Sequence, residues 1–300
     1  MRDISAETES LRSAAASGEL RCSTSTIRQM KEGILLKDNL LGMARSAALL
    51  AAKNADRLIP DCHPAGLDAL EIGFEEEVKN GAGILSIRAS GKSIGRRGPE
   101  TEVLTAVSIA ALVLYDALRV MDGQLEIGRI RLLENPARAE QGGSPRCAIL
   151  VCSDSTAAGK REDKSGKIIS ALLADAGAEV AAYKIVPDDK MLIRQQIAAW
   201  VEQDIAFVFT TGGTGLGPRD HTVDAVKEML ERDADGITEA MRHYGQQRTP
   251  MAMMSRAVAG SIGQTLVITL PGSSAGARES LRAVLPAVFH ARKMLKGGGH

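Results

Sequence analysis

The feature that most restricts the fold is an uninterrupted apolar run at residues 205–209, which leads directly into Thr-Thr-Gly-Gly-Thr-Gly-Leu-Gly-Pro-Arg-Asp-His-Thr at residues 210–222. A short apolar run bounded by glycines is typical of a strand buried in a parallel sheet. Glycine lets backbone N–H groups approach a ligand closely, and clustered N–H groups bind anions. The segment therefore predicts a strand that opens onto an anion-binding loop.

This glycine loop does not match the common nucleotide-binding motifs. It lacks the Lys-Ser/Thr pair of a Walker A loop and the spacing of a dinucleotide-binding GxGxxG sequence. A structural alternative stays open, in which the glycines only form a tight turn from strand to helix. Arg219 and Asp220 add a cation and a carboxylate to the hydroxyl groups of Thr211, Thr214 and Thr222. That combination favours a ligand site.

Segments of strand and helix character alternate through the second half of the chain. The predicted strands are residues 147–152, 179–186, 205–209 and 266–270, and the predicted helices are residues 165–176, 191–202 and 275–294. The alternation predicts an α/β domain with a mostly parallel sheet and helices on both faces. Ligands of such sheets bind at the carboxyl ends of the strands, where we expect residues 153–155, the glycine loop and residues 271–272 to meet.

The first half has a different pattern. Residues 38–54 and 102–121 are predicted to be helices, with Asp38 as the N-cap of the first. Leu70, Ile72 and Phe74 alternate with polar neighbours, as do residues 85–87, which indicates antiparallel strands. Together these segments predict an α+β domain of ferredoxin-like type, with helices on one face of an antiparallel sheet.

A polar segment with two prolines and a Gly-Gly-Ser sequence, residues 134–145, is the predicted linker between domains at residues 1–133 and 146–296. The 37 basic and 37 acidic side chains balance, which argues against a nucleic-acid partner. The apolar stretch 103–115 is too short to cross a bilayer, and no signal sequence is evident. Four cysteines without paired spacing are expected to be reduced. We therefore expect a cytoplasmic protein without membrane contact.

Asp188 follows the predicted strand 179–186, which places it at the same sheet edge as Asp220. Two carboxylates beside a phosphate-binding loop can hold Mg²⁺ and position a phosphoryl group. The alternative is that the Pro-Asp-Asp sequence at residues 187–189 only begins a helix, with an aspartate as its N-cap. Both interpretations stay open for each aspartate taken alone.

These motifs, together with Leu-Pro-Gly-Ser at residues 270–273, resemble the molybdopterin-binding family of molybdenum cofactor biosynthesis, whose active members are molybdopterin adenylyltransferases. The resemblance covers residues 146–294. It implies that Mg²⁺ and ATP bind, that Asp188 and Asp220 are the catalytic and metal-binding residues, and that molybdopterin is adenylylated. The implied substrate-binding residues are Ser153, Thr211, Gly212, Gly213, Thr214, Gly215, Arg219, Thr222, Pro271, Gly272 and Ser273. His221 is given no role.

The first half resembles cyclic pyranopterin monophosphate synthase, a lyase that acts on cyclised dihydro-GTP earlier in the same pathway. The similarity lies at residues 2–5, 37–38, 51–53, 58–64, 100–106 and 115–116, and the Cys-His-Pro and Leu-Thr-Ala-Val-Ser sequences are specific for that family. It implies catalytic roles for Lys37 and Asp116 and substrate binding by His63, Glu100 and Glu102.

The first half departs from that family at three positions. Arg119 replaces a catalytic lysine, Asn135 replaces a phosphate-contacting lysine, and Asp61 adds a carboxylate before Cys-His-Pro. Arginine stays protonated and cannot act as a base, so impaired lyase activity is expected, with a salt bridge from Arg119 to Asp116. A truly bifunctional enzyme and a non-catalytic pterin-binding scaffold are the alternatives. Both families form threefold-symmetric assemblies, which implies a homotrimer or homohexamer.

Overall fold

The computed structural model describes residues 1–32, 37–133 and 144–298, without the side chain of Lys37. The chain divides into two compact units, Met1–Glu140 and Gln141–His300. Most of the predicted linker, residues 134–143, lies outside the described residues, so its conformation stays a prediction.

The first unit is an α+β fold built on a four-stranded antiparallel sheet. Its elements are β1 (Ser10–Cys22), α1 (Thr24–Lys31), α2 (Lys37–Lys53), α3 (Ala55–Leu58), β2 (Ala69–Lys79), β3 (Ala82–Gly95), α4 (Glu100–Leu118) and β4 (Glu126–Leu132). The strand order β2-β3-β1-β4, with helices between β1 and β2 and between β3 and β4, is the ferredoxin-like arrangement. The predicted fold class is confirmed for this unit.

Strand β1 was not predicted, because small residues precede Leu20, the one large apolar side chain that is fully buried on this strand. Ala16 is fully buried, and a side chain at Gly18 would come within 2.6 Å of Val107 of α4. This close approach lets α4 lie directly on the sheet. The sequence at β1 therefore shows no alternation of large apolar residues, although the strand is central.

Helix α4 is the central helix of the first unit. It packs against α2 and against β1, β3 and β4, and Val103, Val107 and Leu114 are fully buried. The apolar stretch 103–115 is part of a 19-residue helix that, by length and composition alone, could cross a membrane. Its buried positions are those of a helix in a domain core.

Helix α2 begins one residue earlier than predicted. Asp38 is therefore not its N-cap and instead lies in the first turn, where a carboxylate interacts favourably with the helix dipole. Helix α4 likewise begins at Glu100 and ends at Leu118, rather than running from residue 102 to 121.

The second unit is an α/β fold with a six-stranded sheet. Its elements are β5 (Arg146–Cys152), α5 (Asp154–Ala157), α6 (Ser165–Asp175), β6 (Glu179–Val186), α7 (Lys190–Glu202), β7 (Phe207–Thr211), α8 (Thr222–Lys227), β8 (Arg232–Asp233), α9 (Asp235–Gln246), β9 (Ala259–Ile262), β10 (Thr265–Leu270), α10 (Ser274–Val284) and α11 (Ala291–Leu295). The strand order is β6-β5-β7-β10-β9-β8. Strands β5, β6, β7 and β10 run parallel, and β8 and β9 form an antiparallel edge.

Two separate hydrophobic cores cover the faces of this sheet. Phe207 and Phe209 point into the core formed with α6, α9 and α10, whereas Val208 points into the core formed with α7 and α8. The predicted mostly parallel sheet with helices on both faces is confirmed. The chain leaves β5 towards β6 and returns on the other side as β7, so the strand order reverses at β5, where such sheets bind ligands.

Two sequence predictions in the second unit need correction. The helix predicted over residues 275–294 ends at Val284, because Pro286 lacks an N–H group and cannot continue it; a 3₁₀ turn and α11 follow. Strand β7 begins at Phe207 and includes the two threonines of the loop motif, rather than covering residues 205–209. The short antiparallel strands β8 and β9 and helix α9 were not predicted.

Candidate active site

The carboxyl ends of four neighbouring strands surround a polar cavity of about 660 Å³ in the second unit. Predicted site residues that line it are Ser153, Asp188, Thr211, Gly212, Gly213, Arg219, Asp220, Gly272 and Ser273. The Thr211 hydroxyl donates to the Pro271 carbonyl at 2.8 Å, which joins the ends of β7 and β10. The convergence expected from the strand order is therefore present.

Asp188 and Asp189 have different functions in the Pro-Asp-Asp sequence. The Asp189 side chain accepts a hydrogen bond from the Leu192 N–H at 2.9 Å and is the N-cap of α7. This leaves Asp188 to face the cavity. The capping interpretation therefore applies to one aspartate, and the ligand-site interpretation concerns the other.

The Asp188 carboxylate is held at the start of α8. Its Oδ1 accepts hydrogen bonds from the His221 N–H and the Thr222 hydroxyl, both at 3.3 Å. Its own N–H donates to Asp154 Oδ1 at 3.0 Å. Burial raises the pKa of Asp188, the two hydrogen bonds lower it in part, and the nearby Asp220 charge raises it further. Two carboxylates therefore repel each other across this site.

Two glycines of the loop lie close against neighbouring groups: Gly213 leaves the space that the Asp188 carboxylate needs, and a β-carbon at Gly212 would collide with the Cys152 carbonyl. Gly212 and Gly213 have φ values of +98° and +60°, a region that side chains rarely adopt. A β-carbon at Gly213 would lie 2.5 Å from Asp188 Oδ2 and would also collide with the Thr222 hydroxyl. These glycines are therefore required by close approach and not only by turn geometry.

Asp220 is folded back against its own loop. Its Oδ2 accepts a hydrogen bond from the Gly217 N–H at 2.8 Å, and β-carbons at Gly215 and Gly217 would lie within 2.9 Å of that oxygen. Arg219 is exposed at the rim of the same cavity. The loop therefore presents one carboxylate and one cation to the cavity that Asp188 also lines.

The two serines of the predicted site are both helix caps. Ser153 accepts from the Thr156 N–H at the start of α5, and Ser273 accepts from the Gly276 N–H at the start of α10. Both serines also line the polar cavity. Their positions are fixed by capping, which orients the hydroxyl groups before any ligand binds.

Four charged residues that line the cavity were not predicted, namely Arg161, Glu162, Asp163 and Lys164. Asp163 is buried and accepts hydrogen bonds from the Ser165 hydroxyl at 3.2 Å, the Gly166 N–H at 2.9 Å and the Tyr183 hydroxyl. Burial raises the pKa of Tyr183, and the bond to Asp163 raises it further. The available signal was an aspartate close to the start of the predicted helix 165–176, although the N-cap itself is Lys164.

The glycine loop also borders a second cavity of about 520 Å³ with a mostly apolar lining. Thr214, Gly215 and Pro271 line it together with Met241, Met251 and Met254. Ser273 lines both cavities. The predicted binding residues therefore divide between a polar cavity and an apolar one that share the loop.

In the first unit, two predicted site residues, His63 and Glu102, contact Arg97. One Arg97 nitrogen, Nη1, donates to the His63 carbonyl at 2.7 Å and to Cys62 Sγ at 2.9 Å. The other, Nη2, donates to the Thr101 hydroxyl at 2.7 Å and lies 3.7 Å from Glu102 Oε2. Arg97 was missed because Cys62 and His63 lie 35 and 34 residues before it, and no local pattern indicates those contacts.

The carboxylates of this cluster lie at the start of α4. Burial raises the pKa of Glu102, which is 2% exposed, and the Arg97 charge opposes that rise only in part. Its Oε2 has no hydrogen-bond partner among the described residues. Glu100 is exposed, and the absence of a side chain at Gly98 leaves room for its carboxylate. The His63 ring binds the Arg2 carbonyl through Nε2 at 2.6 Å.

The remaining predicted residues of the first unit lie elsewhere. Asp116 and Arg119 form the expected salt bridge, at 3.1 Å, near the other end of α4, and both are exposed. Fourteen residues separate Asp116 from Glu102, which is about 21 Å along a helix. Asp61 pairs with the Met1 amino group at 3.3 Å. The side chain of Lys37 and all of Asn135 lie outside the described residues.

Comparison with known proteins covers the whole chain. Residues 1–137 match the MoaC family, and residues 148–290 match the family described as probable molybdopterin binding domain. A molybdenum cofactor biosynthesis bifunctional protein of Chlorobaculum tepidum is 40% identical over 100% of this chain and 96% of its own length. One of Synechococcus elongatus is 32% identical, over 100% and 98%. The structure of MoaB from Thermus thermophilus is 45% identical over 51% of this chain and 96% of that protein, with a TM-score of 0.49.

Proposed function

The chain belongs to the family of bifunctional molybdenum cofactor biosynthesis proteins, with a MoaC region followed by a molybdopterin-binding region, and from this membership we propose that its second unit adenylylates molybdopterin with ATP. The observation that carries the proposal is the pairing of Asp188 and Asp220 in one polar cavity with the glycine loop. This combination is suited to a phosphate chain that must be held and aligned for displacement.

The proposed reaction joins two phosphates. A terminal phosphate oxygen of molybdopterin attacks the α-phosphorus of ATP, the bond from that phosphorus to its bridging oxygen breaks, and pyrophosphate leaves. Gly212 and Gly213 allow the phosphates to approach the backbone, and Arg161, Lys164 and Arg219 supply positive charge at the cavity. The apolar cavity beside Thr214 suits a flat ring system.

The residues of the polar cavity fit Mg²⁺. Asp188 and Asp220 supply two carboxylates, and the described residues include no group of three or more candidate metal ligands. Mg²⁺ is commonly bound by one or two carboxylates, with waters and substrate phosphates completing its shell. When bound, Mg²⁺ would neutralise charge on the phosphates. The raised pKa of Asp188, caused mainly by burial, is consistent with a carboxylate that favours a cation beside it.

The test is adenylylation by the purified full chain with molybdopterin, ATP and Mg²⁺. We expect Asp220→Asn to lose at least about 100-fold in rate, because one charge that aligns the phosphates is removed. Asp204→Asn, at the turn before β7, is the matched control and keeps the wild-type rate. Full activity of Asp220→Asn would contradict the mechanism. Tight molybdopterin binding without magnesium-dependent ATP binding would favour a scaffold instead.

For the first unit we propose an impaired lyase. Arg119 is paired with Asp116 and stays protonated, so it cannot supply the base that a lysine provides in the synthase family. The second candidate is an active lyase on cyclised dihydro-GTP, favoured by the contacts of Arg97 with the His63 carbonyl and the Glu102 carboxylate, close to Glu100 in the first turn of α4. If Arg119→Lys has much higher lyase activity than the wild-type chain, the first unit is impaired. If the wild-type chain turns over the substrate as fast as Arg119→Lys does, the protein is a bifunctional enzyme.

We also propose that the protein is a homotrimer or homohexamer. The two groups of predicted lyase residues lie near opposite ends of α4, so a second copy is needed to bring such groups together. Exposed apolar side chains beside Asp116, namely Leu112, Tyr115, Val120 and Met121, provide a surface for that copy. The mass of the full chain in solution, measured by light scattering, tests this assembly.

A further inference from the structure

Arg256 connects the glycine loop to the helix that follows it. Its backbone N–H donates to the Thr214 carbonyl at 3.3 Å, and its Nη1 donates to the Gly215 carbonyl at 3.4 Å. Its Nη2 pairs with Asp224 Oδ1 at 2.5 Å. Arg256 itself lies 41 residues after Gly215, just before β9. One side chain therefore fastens the middle of the loop to α8.

The position of Asp224 gives this contact its importance. Asp224 lies in the first turn of α8, two residues after Thr222, whose hydroxyl holds the Asp188 carboxylate. Asp220, two residues before Thr222, is folded against Gly217 in the same loop. Holding Asp224 against Gly215 therefore fixes the section of chain that places both aspartates.

A loop this rich in glycine needs such a restraint. Glycine loses more conformational freedom on ordering than any other residue, and ordering a residue costs about 1–2 kcal/mol in backbone entropy. The contacts to Thr214 and Gly215 come from outside the loop and involve backbone carbonyls, so they restrain the chain itself. Arg256 is absent from the residues that line either cavity, so it acts through the loop.

We propose that Arg256 is a positioning residue for adenylyl transfer: it clamps the glycine loop to α8, so that Asp188 and Asp220 face the phosphates together. This inference rests on the proposed function of the second unit. A displacement of about 1 Å in a catalytic group can cost about 100-fold in rate, and the clamp prevents displacements of that size.

The test compares Arg256→Met with wild type in the full chain. We expect kcat to fall by about 10- to 100-fold, while KM for ATP changes by less than about threefold, because the strand ends and both serine caps remain. Arg256→Lys should recover part of kcat, since an ammonium group can keep the Asp224 pair without the fixed fork that also reaches Gly215. Arg248→Met is the control, because Arg248 stacks on Tyr244 and lines neither cavity.

Hydrogen exchange provides a readout that needs no turnover. Amides of residues 212–217 should exchange faster in Arg256→Met than in wild type and Arg248→Met, without faster exchange in β5 or β10. Asp224→Asn leaves Arg256 in place but removes the charge that it pairs with. This variant should also lower kcat and speed loop exchange, by less than Arg256→Met does. It replaces Arg256→Met in the test if Arg256→Met does not fold.

The outcomes separate this inference from the proposed function. If the wild-type chain does not adenylylate molybdopterin, the proposed function is wrong. The comparison of loop exchange between Arg256→Met and wild type still tests whether Arg256 restrains the loop. Wild-type kcat together with unchanged loop exchange in Arg256→Met or in Asp224→Asn overturns the inference. If KM for ATP rises by the same factor as kcat falls, and amides throughout the second unit exchange faster, the variant has lost structure generally. That result also overturns the inference.

Discussion

Replacing Asp122 should destabilise the first unit by a predictable amount. Asp122 is 6% exposed and follows α4, where its Oδ2 accepts hydrogen bonds from the Ser23 N–H at 2.7 Å and the Thr26 hydroxyl at 2.6 Å. Its Oδ1 accepts from the Gln124 N–H at 2.9 Å. Because Ser23 is the N-cap of α1, this one carboxylate joins the start of α1 to the end of α4.

The size of the effect follows from the pKa of Asp122. Burial raises that pKa, but the hydrogen bonds from Thr26, Ser23 and Gln124 outweigh burial and lower it from 3.8 to about 2. At about 1.4 kcal/mol per pKa unit, the ionised side chain stabilises the fold by about 2 kcal/mol. A lowered carboxylate pKa stabilises above the unfolded value of 3.8, and this contribution is lost as the pH falls towards 2.

The assay is hydrogen exchange of the most protected amides of β1 and β3 in the full chain. At pH 7 we expect Asp122→Asn to lower the free energy of opening by about 2 kcal/mol, which is about 30-fold faster exchange for the same opening reaction. At pH 3, urea unfolding followed through exchange of the same amides should show a smaller difference in stability between Asp122→Asn and wild type. Glu75→Gln, an exposed carboxylate on β2, is the control. Equal protection in Asp122→Asn and Glu75→Gln at pH 7 refutes the reasoning.

Three further predictions concern the second unit and the thiols. Gly213→Ala should abolish magnesium-dependent ATP binding measured by calorimetry, because its β-carbon takes the space of the Asp188 carboxylate; normal binding would contradict that packing. Asp188→Asn should raise the thermal midpoint at pH 7 while abolishing adenylylation. Burial raises the pKa of Asp188, so its ionised form opposes folding and stability falls as the pH rises through that pKa; a lower midpoint would contradict this sign. Iodoacetamide at pH 8 should label the half-buried Cys62 first, as read by peptide mass spectrometry, because burial raises the pKa of Cys22 to about 11 and those of Cys147 and Cys152 to about 12. Equal labelling of all four cysteines would contradict the burial.

The strands of the parallel sheet could be predicted because they are buried on both faces. Strands β5, β7 and β10 each contain a run of at least three consecutive apolar residues, and their positions follow from the sequence within two residues. Strand β1 could not be predicted, since Ala16 and Gly18 are small to admit α4. Apolar content indicates a strand only where the element packed against that strand leaves room for large side chains.

The position of the polar cavity could also be predicted, because strand order decides which loops meet. Asp188 and Asp220 follow strand ends, so topology alone brings them to one edge. Arg97 and Arg256 could not be found in this way. Each has partners distant in sequence, as with Arg97 and His63 or Arg256 and Gly215, and no local pattern indicates such pairs.

The structure also changes the interpretation of the first unit. The resemblance assigns one set of residues to one substrate, whereas α4 holds Glu102 and Asp116 about 14 residues apart on a rigid helix. His63 is not a core histidine, because it is only partly buried and its ring binds the Arg2 carbonyl. An intact fold therefore does not by itself assemble a lyase site within one copy.

The central claim is that adenylylation by the second unit is the main activity of the chain. Complementation tests it most directly: the full chain is expressed in one strain that lacks molybdopterin adenylyltransferase and in another that lacks cyclic pyranopterin monophosphate synthase, and molybdoenzyme activity is measured. We predict restored activity in the first strain, lost with Asp220→Asn, and little or none in the second. Restoration of the second strain alone would contradict the account.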